Sequence, residues 1–544
     1  MMDLSATPPQ NSDGDDLLHV ALVRSTVRHG LLLGLEVPHS MRAAGVQMID
    51  HRDCGPRNRV GPTDRSRPIL AARRVLHIGE IVAAVAADST QVASAYADEI
   101  VMRVEERAEV ADIEASSAAR VRLTGDTNTY FETGIRVGHR QPRGVESSCE
   151  ARGAFNLSRQ LRDVMGQAIV LAAPQADGRL AVRVNAGDAG YLRQHLAESL
   201  GLEESLVAVE VVASSAAVDI DVNELLQLVV IDAVMAIKSN TRCQLAWQPA
   251  DRMSHGSGRP AAMIGVKGRF DAAGKALVLN AELRLDAGAR DLMLPSSALQ
   301  ALRQVAGPYR WGSFIGNAKV HATNNLPDYG LMGEGFPGAV FAREQFMDIA
   351  AKQLSLTQAD IRLINLGGNV EIAALMLREA SEWVGRSCHD RRIGRALGYI
   401  ENDGVPSVDA VEVEVDAVTW EIRIRALRAW RLKGSATAVE VRLNILREVG
   451  LAVFEDVSAA AFGVAAYRPG TSVELPSVQI DWMEDKTDRL VRSVATDSPA
   501  TGSPSACVSA VAEATGLRAA DLPLLPEVLV DLHLIHTDCA EVTQ

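Results

Sequence analysis

The sequence predicts a multidomain α+β protein, and three observations lead there. The chain has 544 residues, enough for three or four units at roughly 150 residues per domain. Hydrophobic residues make up 47% and charged residues 23%, the balance of a chain that buries a core and unlike that of a tail or fibre. Both hydrophobic periods, two and 3.6, recur along it without an internal repeat.

The elements follow in order. Ile81 to Ala87 is an apolar strand after a Gly79-Glu80 turn, and Ser89-Thr90 opens a helix expected to turn Val92, Tyr96 and Ile100 to one side. Gly, Arg and Ser accumulate from Gly134 to Ser148, which suggests a linker; its basic run Arg136 to Arg143 is expected to be solvated. Leu180 to Val184 alternates as a strand, and Leu192, Leu196 and Leu200 mark a helix stopped by Gly201. Val207 to Val212 predicts another strand. Leu225 to Ile237 is about half the length of a membrane span and contains Asp232, so a core helix is expected. Ile264 to Phe270 turns at Asp271 to Gly274 and returns as Leu277 to Leu285. Val411, Val413 and Val415 face Ile422 and Ile424 across a turn near Asp416, and helices are expected over Val340 to Leu354 and from Ser503-Pro504 to Gly516.

Composition and motifs exclude several functions. A net charge of −14 and 4% aromatic residues oppose nucleic-acid binding. The six cysteines, at 54, 149, 243, 388, 507 and 539, form no CxxC pair, so neither a disulfide framework nor a metal cluster is predicted. Met1 to Asp16 carries Asp3, Asp13, Asp15 and Asp16 and no basic-then-apolar leader, and a cytoplasmic location is expected. No nucleophile elbow, HExxH helix or Walker loop occurs. Gly333 to Gly338 matches GxGxxG, but the preceding Asn324 to Tyr329 is turn-rich rather than a buried strand, which disfavours a dinucleotide site. Cys388 and His389 are adjacent, and neighbouring residues on a regular element point apart, so they make no dyad by themselves.

Five segments in order carry a resemblance: a strand near residue 20, the GE-to-AD strand at Gly79 to Asp88, the hairpin Gly265 to Ala289, Asn324 to Asp348, and Ala514 to Glu527. Together they resemble the molybdopterin-binding large subunit of the xanthine dehydrogenase and aldehyde oxidase family, or molybdenum hydroxylases. The resemblance implies a tail over 1–16, a hammerhead-like α/β domain over 17–115, a linker over 116–148, a first molybdopterin-binding-like domain over 149–370, and a truncated second one over 371–544.

It also implies where chemistry should sit. Members hold the pterin through backbone N–H groups of glycine-rich turns, which side chains would obstruct. The first such loop, GGFGGK in the family, corresponds to Ala213 to Asp221, without a glycine. A glutamine placed near the metal corresponds to about Gly187. The family's AFRGFG-x-PQ loop corresponds to Gly330 to Pro337, leaving Gly333, Gly335 and Pro337 as candidate cofactor-binding residues with Met332 in place of the arginine. A central module with a GQG-x-x-T loop, expected after Arg391 to Gly394, is absent, since Val411 to Val415 follows within about twenty residues. The catalytic glutamate corresponds to Asp497, one methylene shorter and without flanking glycines; a displacement of about an ångström costs on the order of 10²-fold in rate.

Two functions remain. The first is a degenerate large-subunit homologue with no cofactor or metal in this chain. It would serve as a structural or assembly subunit in an oligomer with iron–sulfur and FAD subunits or with an active paralogous large subunit, and would bind neither nucleic acid nor a membrane. The alternative is an active molybdopterin-dependent hydroxylase of an aldehyde or N-heterocycle that uses water as oxygen source. It would carry molybdenum on molybdopterin or molybdopterin cytosine dinucleotide, with Asp497 as base.

Overall fold

Ile81–Ala87 is buried at all seven positions, as a strand covered on both faces must be, and in the computed structural model it lies within a seven-stranded sheet. The structure describes residues 17–55, 57–61, 66–138, 148–161, 167–212, 220–290, 292–328, 336–367, 370–386, 392–402, 404–455, 474–484 and 501–542.

Across this first sheet the strands run Val207–Val211, Leu180–Val184, Ala168–Pro174, Arg242–Trp247, Leu17–Arg24, Ile81–Ala87 and Gln47–Asp50. The sheet joins segments that the sequence assigns to different domains. Leu17–Arg24 pairs antiparallel with Ile81–Ala87 and parallel with Arg242–Trp247, so Val20 lies between Ala86 and Leu245. Val20, Ala86 and Leu245 are all buried in one apolar core.

Helix Val222–Ser239 covers that sheet. Asp221 caps it by accepting the Asn223 N–H at 2.8 Å, and Asn240 ends it in the left-handed conformation. The helix is buried from Glu224 to Ala236, which explains the long apolar run and places Asp232 in the core. There Asp232 Oδ2 accepts the Ala172 N–H at 2.9 Å, while Oδ1 has no partner. Burial drives its carboxyl well above the usual aspartate range, against the weaker pull of the Ala172 N–H. Asp232→Asn is therefore expected to stabilise the chain at neutral pH by on the order of 1 kcal/mol. A raised folded pKa contributes stability below the ordinary aspartate value and loses it as pH rises through the folded value. Unfolding midpoints against pH check both points: the parent should fall relative to the variant as pH rises, and parallel curves would exclude this origin.

Helix Thr90–Glu99, capped by Ser89, buries Ala93 and Ala97. On the side expected to carry Val92, Tyr96 and Ile100, Ile100 is buried and Tyr96 packs against the core, while Val92 is 43% exposed. One local expectation is corrected. Thr129–Gly138, within the expected linker, is a ten-residue strand. It alternates half-buried and exposed positions, pairs with Ser313–His321, and holds Arg136 opposite Ile315. Polar residues on its open face disguise it as linker.

That strand edges a six-stranded sheet ordered Asp521–Leu522, Cys149–Leu157, Ala262–Phe270, Ala276–Asp286, Ser313–His321 and Thr129–Gly138. The predicted hairpin is present, with Val266 opposite Ala281. Helices Pro295–Ala306 and Pro337–Leu354 pack on this sheet. A four-stranded sheet, Ile393–Asn402, Val405–Val415, Ile422–Leu432 and Val478–Met483, shares the same core. Val413 meets Ile424 and Val415 meets Ile422 as expected, and Ile393–Asn402 returns directly as Val405–Val415.

The cysteines 54, 149, 243 and 507 are free thiols, with 54, 243 and 507 buried. Burial pushes Cys54 and Cys243 up to about 12, so neither is a thiolate at neutral pH. Among the described residues, no helix is long and apolar enough to cross a membrane.

Candidate functional site

Of the predicted site residues, Pro337 is described; Gly333, Gly335 and Asp497 lie outside the described residues, as do Cys388 and His389. Pro337 opens helix Pro337–Leu354, where its missing N–H costs nothing. Phe336, just before it, donates its N–H to Gln304 Oε1 at 2.6 Å. A Cβ on Gly338 would stand 2.3 Å from Leu157 Cδ1, so this first turn needs glycine to approach the neighbouring strand.

Residues adjoining several predicted loops converge here. Phe336, Pro337, Gly338, Gln160, Arg259, Glu448 and Pro504 line a common cavity. Its polar groups are turned on one another. Arg259 makes a bidentate pair with Glu448 (Nη2–Oε1 2.5 Å and Nη1–Oε2 3.2 Å), and Gln160 donates to the Leu451 carbonyl at 3.1 Å. The adjacent Leu161 N–H goes to Glu455 Oε1 at 3.0 Å. The space left has room for about one water molecule. A pterin needs a far larger cradle and N–H groups available to its phosphate, so the described residues do not fit that group at this cavity.

Helix Ser503–Thr515, which follows the segment containing Asp497, is anchored from outside itself. Asp409 Oδ2 accepts the Gly502 N–H at 2.8 Å and the Ser503 hydroxyl at 3.0 Å, while Oδ1 pairs with Arg431 at 2.5 Å. A buried carboxylate at a helix start complements the backbone dipole. No sequence signal marked Asp409, because its partners lie about ninety residues away in the chain.

Gly187, where the resemblance implies a glutamine, has φ +89°. A Cβ there would fall 2.8 Å from Leu225 Cδ2 and 3.2 Å from Leu192 Cδ1. The site is thus an apolar contact between two helices, in a conformation that costs any other residue on the order of 1 kcal/mol or more. Gly187→Gln is expected to destabilise the chain by about 2 kcal/mol through strain and overpacking. Denaturant unfolding checks this; an unchanged midpoint would show that a glutamine fits.

Among the described residues, no group of three or more His, Cys, Asp or Glu side chains is placed to hold a metal ion. What sequence reasoning missed is the buried charge network joining the helices of this region: Glu344 accepts from Arg343 Nε and Arg362 Nε, each at 2.8 Å, and from the Tyr309 hydroxyl at 2.9 Å. These residues sit on helical faces where charge ordinarily signals solvent.

Comparison with known proteins adds several similarities. The molybdopterin cofactor-binding domain model matches residues 126–366, and the model of the aldehyde oxidase and xanthine dehydrogenase a/b hammerhead domain matches residues 12–108. Aldehyde oxidoreductase of Megalodesulfovibrio gigas is 23% identical over 361 residues, covering 64% of this chain and 40% of that protein. A probable xanthine dehydrogenase subunit of Bacillus subtilis (strain 168) is 24% identical over 357 residues, covering 64% of this chain and 47% of that protein. The chain thus spans less than half the length of these two relatives. The crystal structure of quinoline 2-oxidoreductase from Pseudomonas putida 86 superposes with a TM-score of 0.81 at 16% identity, over 95% of this chain and 94% of that one.

Proposed function

Because the chain belongs to the xanthine dehydrogenase and aldehyde oxidase family of molybdopterin-binding subunits, we propose that it is a large-subunit homologue serving as a structural or assembly subunit of an oxidoreductase complex without holding the cofactor itself. The observation that carries this reading is the narrow cavity below Pro337, where Arg259 turns Nη1 and Nη2 to Glu448. Those donors are engaged within the protein, and the space between them admits about one water. The glycine-free sequence Ala213 to Asp221 and the apolar setting of Gly187 agree with it.

Its partners under this reading are iron–sulfur and FAD subunits, or an active paralogous large subunit. The Bacillus subtilis relative is by its own name one subunit of a dehydrogenase. Native mass spectrometry of the chain isolated from its own host tests the assembly role. Co-isolation with oxidoreductase subunits at a fixed stoichiometry is expected, and a lone monomer would count against it. If the isolated chain hydroxylated an aldehyde or N-heterocycle with oxygen drawn from water, the active alternative with Asp497 as base would replace this proposal.

A further inference from the structure

A second cavity, of about 40 Å³, lies between the N-terminal segment and helix Val222–Ser239, bounded by Arg24, His77, Glu80, Glu224, Trp247 and Arg290 among others. It is polar and unused by the family reading.

Hydrogen-bond accounting shows what it lacks. Its carboxylates are already engaged: Glu224 accepts the Ser257 N–H at 2.8 Å and the Ser257 hydroxyl at 2.9 Å, while Glu80 accepts the Leu76 N–H at 2.6 Å and pairs with Arg290. The Gly79 carbonyl takes Arg24 Nη1 at 2.9 Å. Two donors remain. Arg24 Nη2 and Trp247 Nε1 are both buried without a partner, and Trp247 is only 3% exposed. The guanidinium carbon of Arg24 lies 5.9 Å from the centre of the Trp247 ring, so the two donors belong to one cation–π pair.

Charge points the same way. Arg24, Arg67 and Arg290 face Glu80 and Glu224. Burial lowers Arg24 to about 10, which leaves it charged at neutral pH, and burial pushes the Glu224 carboxyl up. His77 donates Nδ1 to the Ile78 carbonyl at 2.8 Å and is held neutral by burial. Three guanidinium groups thus line the cavity beside two carboxylates, with Asp251 also acting on Arg24, and orphaned buried donors cost about 1–3 kcal/mol each.

We propose that this cavity binds a small monovalent anion, of the size of a halide, formate or bicarbonate, accepting hydrogen bonds from Arg24 Nη2 and Trp247 Nε1. Its volume accommodates about three water molecules and so excludes anything as large as a phosphate ester. Gly79 sets one wall: a Cβ there would fall 1.9 Å from His255 Cδ2, so the backbone that fixes Arg24 packs directly against the ring of His255.

Bromide is the probe. Crystals of the full chain grown with bromide as the sole halide, measured at the bromine edge, should show an anomalous peak within hydrogen-bond reach of both donors. Density there without anomalous signal, in both bromide and formate crystals and matching only water, overturns the proposal. In solution, low bromide should raise the unfolding midpoint relative to gluconate at equal ionic strength, increasing with concentration as ligand linkage requires. Arg24→Met should abolish that rise and Trp247→Phe should reduce it. Coincident curves for the parent chain in the two salts also overturn it. Should Arg24→Met fail to fold, Trp247→Phe and the diffraction measurement on the parent chain decide.

Discussion

Arg362→Met is expected to unfold the chain or leave it insoluble at ordinary temperature. Arg362 is fully buried, with Nε 2.8 Å from Glu344 Oε2 and Nη1 2.7 Å from Asp348 Oδ1. It also donates to the carbonyls of Gln358 at 2.8 Å and Glu344 at 3.3 Å. Methionine fills similar space but leaves buried Asp348 without its cation and Glu344 with Arg343 alone. Breaking a buried pair by removing one partner costs about 3–5 kcal/mol, a large share of the roughly 5–15 kcal/mol typical of a domain. Adding Asp348→Asn should recover much of the loss, since it removes the stranded charge while Glu344 keeps its pair with Arg343.

The same network sets a pH dependence. Burial pushes Glu344 up, but Arg362 and Arg343 outweigh it and hold the carboxyl below its usual 4.5. A depressed folded pKa gives stability that is present above the ordinary value and lost as pH falls through the folded one. Urea unfolding between neutral and acidic pH should therefore show the parent losing stability on acidification with a steeper slope than the Arg362→Met/Asp348→Asn variant, in which Glu344 has lost one of its two cations. Equal slopes would exclude Glu344 as the source.

Gly398→Val is expected to detach helix Ser503–Thr515 from its sheet. A Cβ on Gly398 would lie 2.1 Å from the Gly502 carbonyl oxygen, and one on Gly502 would lie 2.5 Å from that of Gly398. Further along the helix, a Cβ on Gly394 would stand 1.9 Å from the Ala510 carbonyl. Strand and helix thus meet backbone to backbone, with no flexible side chain to give way. Overpacking alone costs about 1–3 kcal/mol. Moving the helix also breaks its bonds to the Asp409 carboxylate, each worth about 1.5–3 kcal/mol. A loss of about 3 kcal/mol or more is expected in denaturant unfolding, with Gly398→Ala intermediate, and a stable, soluble valine variant would contradict this packing.

Local pattern made much of the fold legible. Alternation placed Ala262–Phe270 and Ala276–Asp286, and leucines at helical spacing before Gly201 placed Ala189–Leu200. Pairing across the chain was not legible: nothing near residue 20 announces that Val20 will lie beside Leu245, because a parallel partner is chosen by long-range burial. Composition misled at Thr129–Gly138, where one exposed face carries Glu132 and Arg136. The buried Glu344, Asp348 and Arg362 were invisible because only tertiary structure brings their partners together. At the candidate site, the sequence offered Pro337 as a candidate, but gave no sign of the Arg259–Glu448 pair that spans elements nearly two hundred residues apart.

The molybdenum and pterin content of the chain isolated from its native host tests the central claim most directly. Metal well below one atom per chain, with no pterin released on denaturation, is the expected result. One molybdenum and one pterin per chain would contradict it and make this protein a cofactor-bearing member of its family.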